Sequence, residues 1–350
     1  MLPYLLLISA SFSGKLLPPQ NLKYQRFHLW SMGIFCWLLA SFRYVTGFDY
    51  RLYEDIFQRV ADTGFSGLPQ IEPGYLLLNL LVSRFGGDYR ALLFVFHLLF
   101  TVLVFTWIGR YSPTPWMSVY LFLTLQHLAL SMNFLRQALA AAILIWTYPF
   151  LKRRRFLPAW GVVLLASCFH WSALIMLPLS FLLCLRPAKL HYGLASLAAA
   201  TAYLLDPLLC GVIARIPKYQ HYLDGMYWQG NSFLYLFLPL GCFLFALPLI
   251  KQAADEPTVS PVLANSIFYS LLIQLFITRH FILERLSIYA AFFSLLALPE
   301  AALLPDKYLN ARARKVILLV GCFAYFLFAA SQGFHGVYPY RGIWDRVIFP

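Results

Sequence analysis

Long apolar runs, broken by short polar stretches, set the pattern of this chain. Charge-free runs fall at 27–42, 91–109, 111–135, 137–151, 156–185, 231–250, 257–278 and 316–340. Weaker runs lie at 1–14, 190–205 and 286–299. A membrane-crossing helix needs about 20 mostly apolar residues, so most of these runs predict a span. The 156–185 run is too long for one untilted helix. It predicts two short helices meeting near His170, because Cys168-Phe-His-Trp171 interrupts its middle and Pro178 follows. The stretch 74–85 is too short to span and follows Pro73-Gly74, which predicts an interfacial or re-entrant helix. The first residues, MLPYLLLISASFSGK, lack a basic leader and a clear cleavage site. They read as a short first helix and not as a cleavable signal peptide.

Composition strengthens this reading. Of 350 residues, 61% are hydrophobic and only 12% charged, against about 25% charged in ordinary soluble domains. Mean hydropathy is +0.69. A cytosolic enzyme, a disordered regulator and a secreted disulfide scaffold are excluded. The expected fold is all-α: one membrane-embedded domain over 1–350, with about 11–13 membrane helices, some of them short or re-entrant. The six cysteines are scattered through apolar runs without a CxxC pair, so they read as packing residues.

The net charge of +13 would suggest nucleic acid in a soluble chain. Here its location decides. With Lys152-Arg153-Arg154-Arg155 cytoplasmic, alternating spans put 15–26, Arg110, 186–191, 251–256 and 305–315 on the same side. Those segments, with Glu300, carry 15 of the 27 basic and 4 of the 14 acidic residues, a net of +11. The other side nets +2, and of eight lysines only Lys218 lies there. The excess is therefore the positive-inside bias, and no nucleic-acid partner is expected. The polar sequence that looks purposeful lies on the non-cytoplasmic side, chiefly in loops at about 43–90 and 206–231.

Five constellations there carry candidate chemistry. Arg43-Tyr-Val-Thr-Gly47-Phe-Asp49-Tyr50 leads on to Tyr53, with Asp49 and Tyr53 at i, i+4. The tyrosines also fit an interfacial aromatic belt, whereas charges at a span end must face protein or water. Glu72-Pro73-Gly74-Tyr75 fits ordinary helix-start chemistry, or a carboxylate that positions or deprotonates a hydroxyl. Asn133-Phe-Leu-Arg136-Gln137 opens a small-residue helix. Its Arg136 reads as an ion-pair partner of Asp49 or Glu72, or as a phosphate ligand. Ala166-Ser-Cys-Phe-His170-Trp-Ser172 presents a histidine between two helices, either structural or catalytic. Thr278-Arg279-His280-Phe-Ile-Leu-Glu284-Arg285 reads as a self-neutralising network or as a diphosphate site. The loop Arg215-Ile-Pro-Lys218-Tyr-Gln-His-Tyr222 would suit sugar stacking plus anion contact. His97 and His127, inside spans, read as core residues. No GxSxG, Walker A, HExxH or DxD pattern occurs, so no metal or other cofactor is expected in catalysis.

In order, Arg43-Tyr…Gly47…Asp49-Tyr50…Tyr53, Glu72-Pro-Gly-Tyr75, Asn133…Arg136-Gln137…Ala140, Ala166-Ser…Phe169-His170…Ala173-Leu174 and Glu284-Arg285-Leu…Tyr289 resemble the EpsG family. This is a family of bacterial polysaccharide-biosynthesis membrane proteins akin to Wzy-type polymerases. The resemblance covers most of residues 1–300 and fades over 300–350. It implies a glycosyltransferase that joins undecaprenyl-pyrophosphate-linked oligosaccharide repeats at the periplasmic face of the inner membrane. The bilayer, a flippase and a chain-length regulator would be its partners. On that reading Arg136, Arg279, Arg285 and Arg43 hold pyrophosphate. His170, Glu72 or Asp49 activates the acceptor, and Gln137, Asn133, Tyr50, Tyr53 and Glu284 contact substrate. A lipid-linked oligosaccharide flippase predicts midplane charges and an internal repeat, and neither is visible. An O-antigen ligase would use nearly the same chemistry. A non-enzymatic scaffold leaves the span-end arginines unexplained.

Overall fold

The computed structural model describes residues 1–18, 21–68, 70–213, 215, 232–280, 283–305 and 309–347. About 80% of it is helical. Among the described residues the extended pairing is one isolated antiparallel bridge between Arg43 and Gly342. The all-α membrane architecture read from the hydropathy pattern is therefore the one observed.

Among the described residues, two helices are long and apolar enough to cross a membrane unbroken, Tyr89–Tyr111 and Ala311–Ser331. Two bent helix pairs have the length and apolar character of a broken span or a re-entrant loop. Phe233–Phe245 meets Leu247–Asp255 at 44°, and Arg285–Ala291 meets Ser294–Leu303 at 43°. Leu2–Leu16, Leu135–Leu151, Phe156–Ser167, Trp171–Cys184 and Val262–Thr278 are shorter apolar helices. The hydropathy runs thus mark apolar segments correctly but overstate their continuity. The 111–135 run shows why. It divides into Pro115–Thr124 and His127–Asn133 at Gln126, whose φ is +67°. A break at membrane depth is tolerated where protein surrounds it. Gln126 is buried, and its Oε1 accepts the Tyr338 hydroxyl at 2.7 Å.

The 156–185 run divides as expected. Phe156–Ser167 and Met176–Cys184 are joined through extended His170 and the turn Trp171–Ile175. The stretch after Pro73-Gly74 forms a single short helix, Pro73–Arg84.

Tyr89–Tyr111 forms the centre of the core, with Phe96, His97, Phe100, Val104, Phe105 and Trp107 fully buried. His127 is buried against the rings of Phe122 and Phe292. Both histidines are core residues, as read from the sequence. At the other extreme, no residue of Lys189–Leu204 is buried.

The C-terminal segment was expected to lie outside the family pattern, yet it is built into the fold. Tyr44 N–H donates to the Arg341 carbonyl at 2.9 Å, and Ile343 N–H to that of Phe42 at 2.9 Å. The Tyr4 ring packs edge-on against Tyr338 and Tyr340. This segment braces the 43–49 loop from behind.

Candidate active site

The 43–49 loop is the first wall of the site. Arg43 donates through Nη1 to the Met132 carbonyl. Gly47 has φ of +102°, and a Cβ there would lie 2.6 Å from the same carbonyl oxygen. Only glycine combines that backbone with that approach. Asp49 N–H then donates to Asn133 Oδ1 at 3.1 Å. Loop and helix end are locked together, and Asp49 becomes the N-cap position of Tyr50–Thr63. That helix is amphipathic, burying Tyr50, Tyr53, Ile56, Phe57 and Val60 along one face.

Glu72 is the second wall. It precedes Pro73 in extended conformation, with proline at the first helical position as expected. Its carboxylate does not cap its own helix. Gly74 permits a different use. Gly74 N–H donates to the Cys168 carbonyl at 2.7 Å, and a Cβ on Gly74 would lie 2.7 Å from that oxygen. The close approach brings Glu72 under the His170 turn. Glu72 Oε1 accepts His170 Nδ1–H at 2.9 Å and Trp171 N–H at 3.2 Å. Glu72 Oε2 pairs with Arg136 Nη1.

One carboxylate thus holds two residues that lie 64 and 98 positions away. The Glu72 side chain is only 3% exposed. Burial by itself would raise its pKa. The His170 hydrogen bond and the Arg136 charge outweigh burial and hold it at about 2. An ionised carboxylate can only accept, so His170 Nδ1 carries a proton and donates it to Glu72, and Nε2 is the ring nitrogen turned away from the carboxylate. Among the described residues Nε2 has no partner.

Arg136 is the second residue of Leu135–Leu144, after a break at Phe134. Ala138, Ala140, Ala141 and Ala142 are fully buried, which lets this helix pack closely. The Tyr53 hydroxyl lies beside the Arg136 guanidinium. Gln137 Nε2 donates to the Arg285 carbonyl. Arg285 places its guanidinium 4.9 Å from the Phe134 ring centre. Asp49 feels both cations. Burial raises its pKa, opposed by Arg285 and then Arg136. Among the described residues its carboxylate has no hydrogen-bond or ion-pair partner.

Three expected site residues stand elsewhere. Arg43 is 1% exposed and lies over the Tyr50 ring, facing the core. Tyr50 packs edge-on against Tyr89. Arg279 is exposed and stacks on Tyr203 at 4.5 Å. The Glu284 side chain, and residues 216–231 with Lys218, lie outside the described residues.

The structure pairs two further residues of the quoted motifs, Tyr289 and Ser172. The Tyr289 hydroxyl shares a 2.7 Å hydrogen bond with Ser172 Oγ, and Tyr289 is fully buried. Its spacing four residues after Arg285 placed it on the Arg285 helix face. Nothing local to the sequence announced Ser172 as its partner.

A carboxylate, a histidine and two arginines thus converge from four segments of a helical membrane protein. The family model of the EpsG family matches residues 27–341. The chain belongs to that family, whose members are Wzy-type polysaccharide polymerase-like membrane proteins. The match extends well beyond residue 300, in keeping with the structural role of the C-terminal segment. No curated protein and no solved structure matches the chain.

Proposed function

We propose that this protein is a glycosyltransferase-type polymerase. It joins undecaprenyl-pyrophosphate-linked oligosaccharide repeats at the periplasmic face of the bacterial inner membrane. The observation that carries this reading is the Glu72 carboxylate holding His170 by Nδ1 and Arg136 by Nη1.

The acceptor is a sugar hydroxyl on one lipid-linked repeat. Its oxygen attacks the anomeric carbon of the second glycan, and its proton passes to His170 Nε2. The bond from the anomeric carbon to the pyrophosphate oxygen breaks, and the lipid pyrophosphate leaves with the electron pair. Arg136 and Arg285 stabilise the charge that develops on it. Fixed guanidinium groups do this without reorganising during the reaction. Glu72 keeps the imidazole in one tautomer and orientation, as a carboxylate does behind a catalytic histidine. Being ionised and spent on three donors, Glu72 is not the base. Asp49, beside both arginines, orients the acceptor. Asn133, Gln137 and Tyr53 hold Asp49, the Arg285 backbone and Arg136 in register. Arg43 is a scaffold residue, and Arg279 lies off this centre.

A deletion strain tests the reading. Loss of a polymerase leaves surface glycan capped with a single repeat. Long chains retained on the lipid carrier would instead indicate a ligase, and repeats retained inside the cell would indicate a flippase.

A further inference from the structure

A second group of reactive side chains gathers outside the Glu72 centre. The Asp206–Ile213 helix carries Asp206 and Cys210 four residues apart, on one face. His280 follows the turn Phe276–Thr278. Its Nε2 lies 2.6 Å from Asp206 Oδ1 and 3.7 Å from Cys210 Sγ. The three ligand-type atoms all fall within 4.8 Å of one another. Asp206 and His280 are buried, and Cys210 is half-buried. Two chain segments 70 residues apart thus bring a carboxylate, a thiol and an imidazole to one point.

We propose that Asp206, Cys210 and His280 bind a zinc-class divalent cation, with three protein ligands and a fourth position for water. The donor set selects the metal. Calcium and magnesium take oxygen ligands, whereas thiolate and imidazole suit zinc and its neighbours. Bonds of about 2.0 Å to nitrogen and oxygen and about 2.3 Å to sulfur put the nitrogen and oxygen about 3.3 Å apart, and each about 3.5 Å from the sulfur, in a tetrahedron. The His280–Cys210 separation, 3.7 Å, lies within about 0.2 Å of that value. The Asp206–His280 contact is a hydrogen bond in this state. A small rotation of the carboxylate, opening it by about 0.7 Å, admits the ion. Cys210 gives up its thiol proton and His280 binds through unprotonated Nε2, so uptake releases protons. Two anionic ligands balance the dication. The bound ion ties the Asp206–Ile213 helix to the end of Val262–Thr278.

The test uses tag-free, full-length protein in detergent, stripped with a chelator and titrated with cobalt(II). The wild type should show visible bands of a tetrahedral cobalt site together with a thiolate-to-cobalt charge-transfer band, both displaced by zinc. Asp206→Asn and His280→Gln should each weaken cobalt binding by about tenfold or more. Cys210→Ser should abolish the charge-transfer band. Cys210→His should keep the visible bands and lose the charge-transfer band, which separates loss of a ligand from loss of fold. A wild type without these bands overturns the proposal. So does a charge-transfer band that survives in Cys210→Ser, because the thiolate would then be one of the other five cysteines.

Discussion

Glu72 accepts the Nδ1 proton of His170 at 2.9 Å across 98 residues of sequence. Everything proposed for the chemistry depends on this bond. It fixes Nδ1 as the donor to Glu72 and turns Nε2 away from the carboxylate. His170→Ala should lower polymerisation kcat by about 10²–10⁴-fold, the usual contribution of general base catalysis. Glu72→Gln keeps the shape but replaces an acceptor-only group with one that also donates. It should cost about 10²-fold or more, with the folded protein recovered at normal yield. Steady-state rates on purified lipid-linked repeats check both.

Arg136 carries two loads, one structural and one chemical. Removing it leaves the Glu72 carboxylate buried without its cation. Arg136→Ala should therefore lose about 3 kcal/mol of stability. The double variant Arg136→Ala/Glu72→Gln should recover part of that loss and none of the activity. Arg136→Lys keeps the charge but not the planar fork, so it should hold stability better than it holds substrate affinity. Thermal unfolding, compared with KM for the lipid-linked repeat, separates the two effects.

Gly74 gives a purely steric prediction. Gly74→Ala drives a Cβ to 2.7 Å from the Cys168 carbonyl oxygen. It should destabilise by about 1–3 kcal/mol and push Glu72 away from His170. Gly161 lies inside Phe156–Ser167 with nothing within 4 Å of its added Cβ. Gly161→Ala should be neutral or stabilising by about 0.5–1 kcal/mol. Melting temperatures in one detergent give the comparison.

The pH dependence has a defined sign. The Glu72 pKa in the folded protein, about 2, lies below its ordinary value of 4.5. A depressed carboxylate contributes stability that is complete above the unfolded value and is lost as pH falls through the folded one. The wild type should therefore lose stability relative to Glu72→Gln only between about pH 5 and pH 2. Paired melting curves across that range show whether the gap between the two proteins closes there.

Much of this arrangement was legible in the chain before its fold was known. The break at His170 was visible because Cys168-Phe-His-Trp171 interrupts a run too long for one helix. The short helix after Pro73-Gly74 was visible from its length and its start signal. Arg136 was recognisable as a charge at a span end needing a partner, with Asp49 and Glu72 as the two candidates. The choice of Glu72 was not legible, because it depends on the 2.7 Å approach of Gly74 to the Cys168 carbonyl, a tertiary contact without a local signature. Arg43 and Arg136 look equivalent in sequence. Arg43 is buried against Met132 and Tyr50 only because Gly47 folds its loop inward. The break at Gln126 was hidden for a related reason. It lies in a charge-free run with no glycine or proline beside it, and the left-handed turn is held by Tyr338 from the far end of the chain. Cys210, read with the other cysteines as a packing residue, and His280, read within the 278–285 cluster, meet Asp206 only in three dimensions.

The most direct test of the central claim is product length from vesicles containing purified protein and a single lipid-linked repeat as substrate. Wild-type protein should yield a ladder of increasing chain length. His170→Ala and Arg136→Ala, reconstituted at equal amounts and shown to be folded, should leave the repeat unextended. A full ladder from either variant would contradict the assignment of this carboxylate-held pair as the polymerising centre.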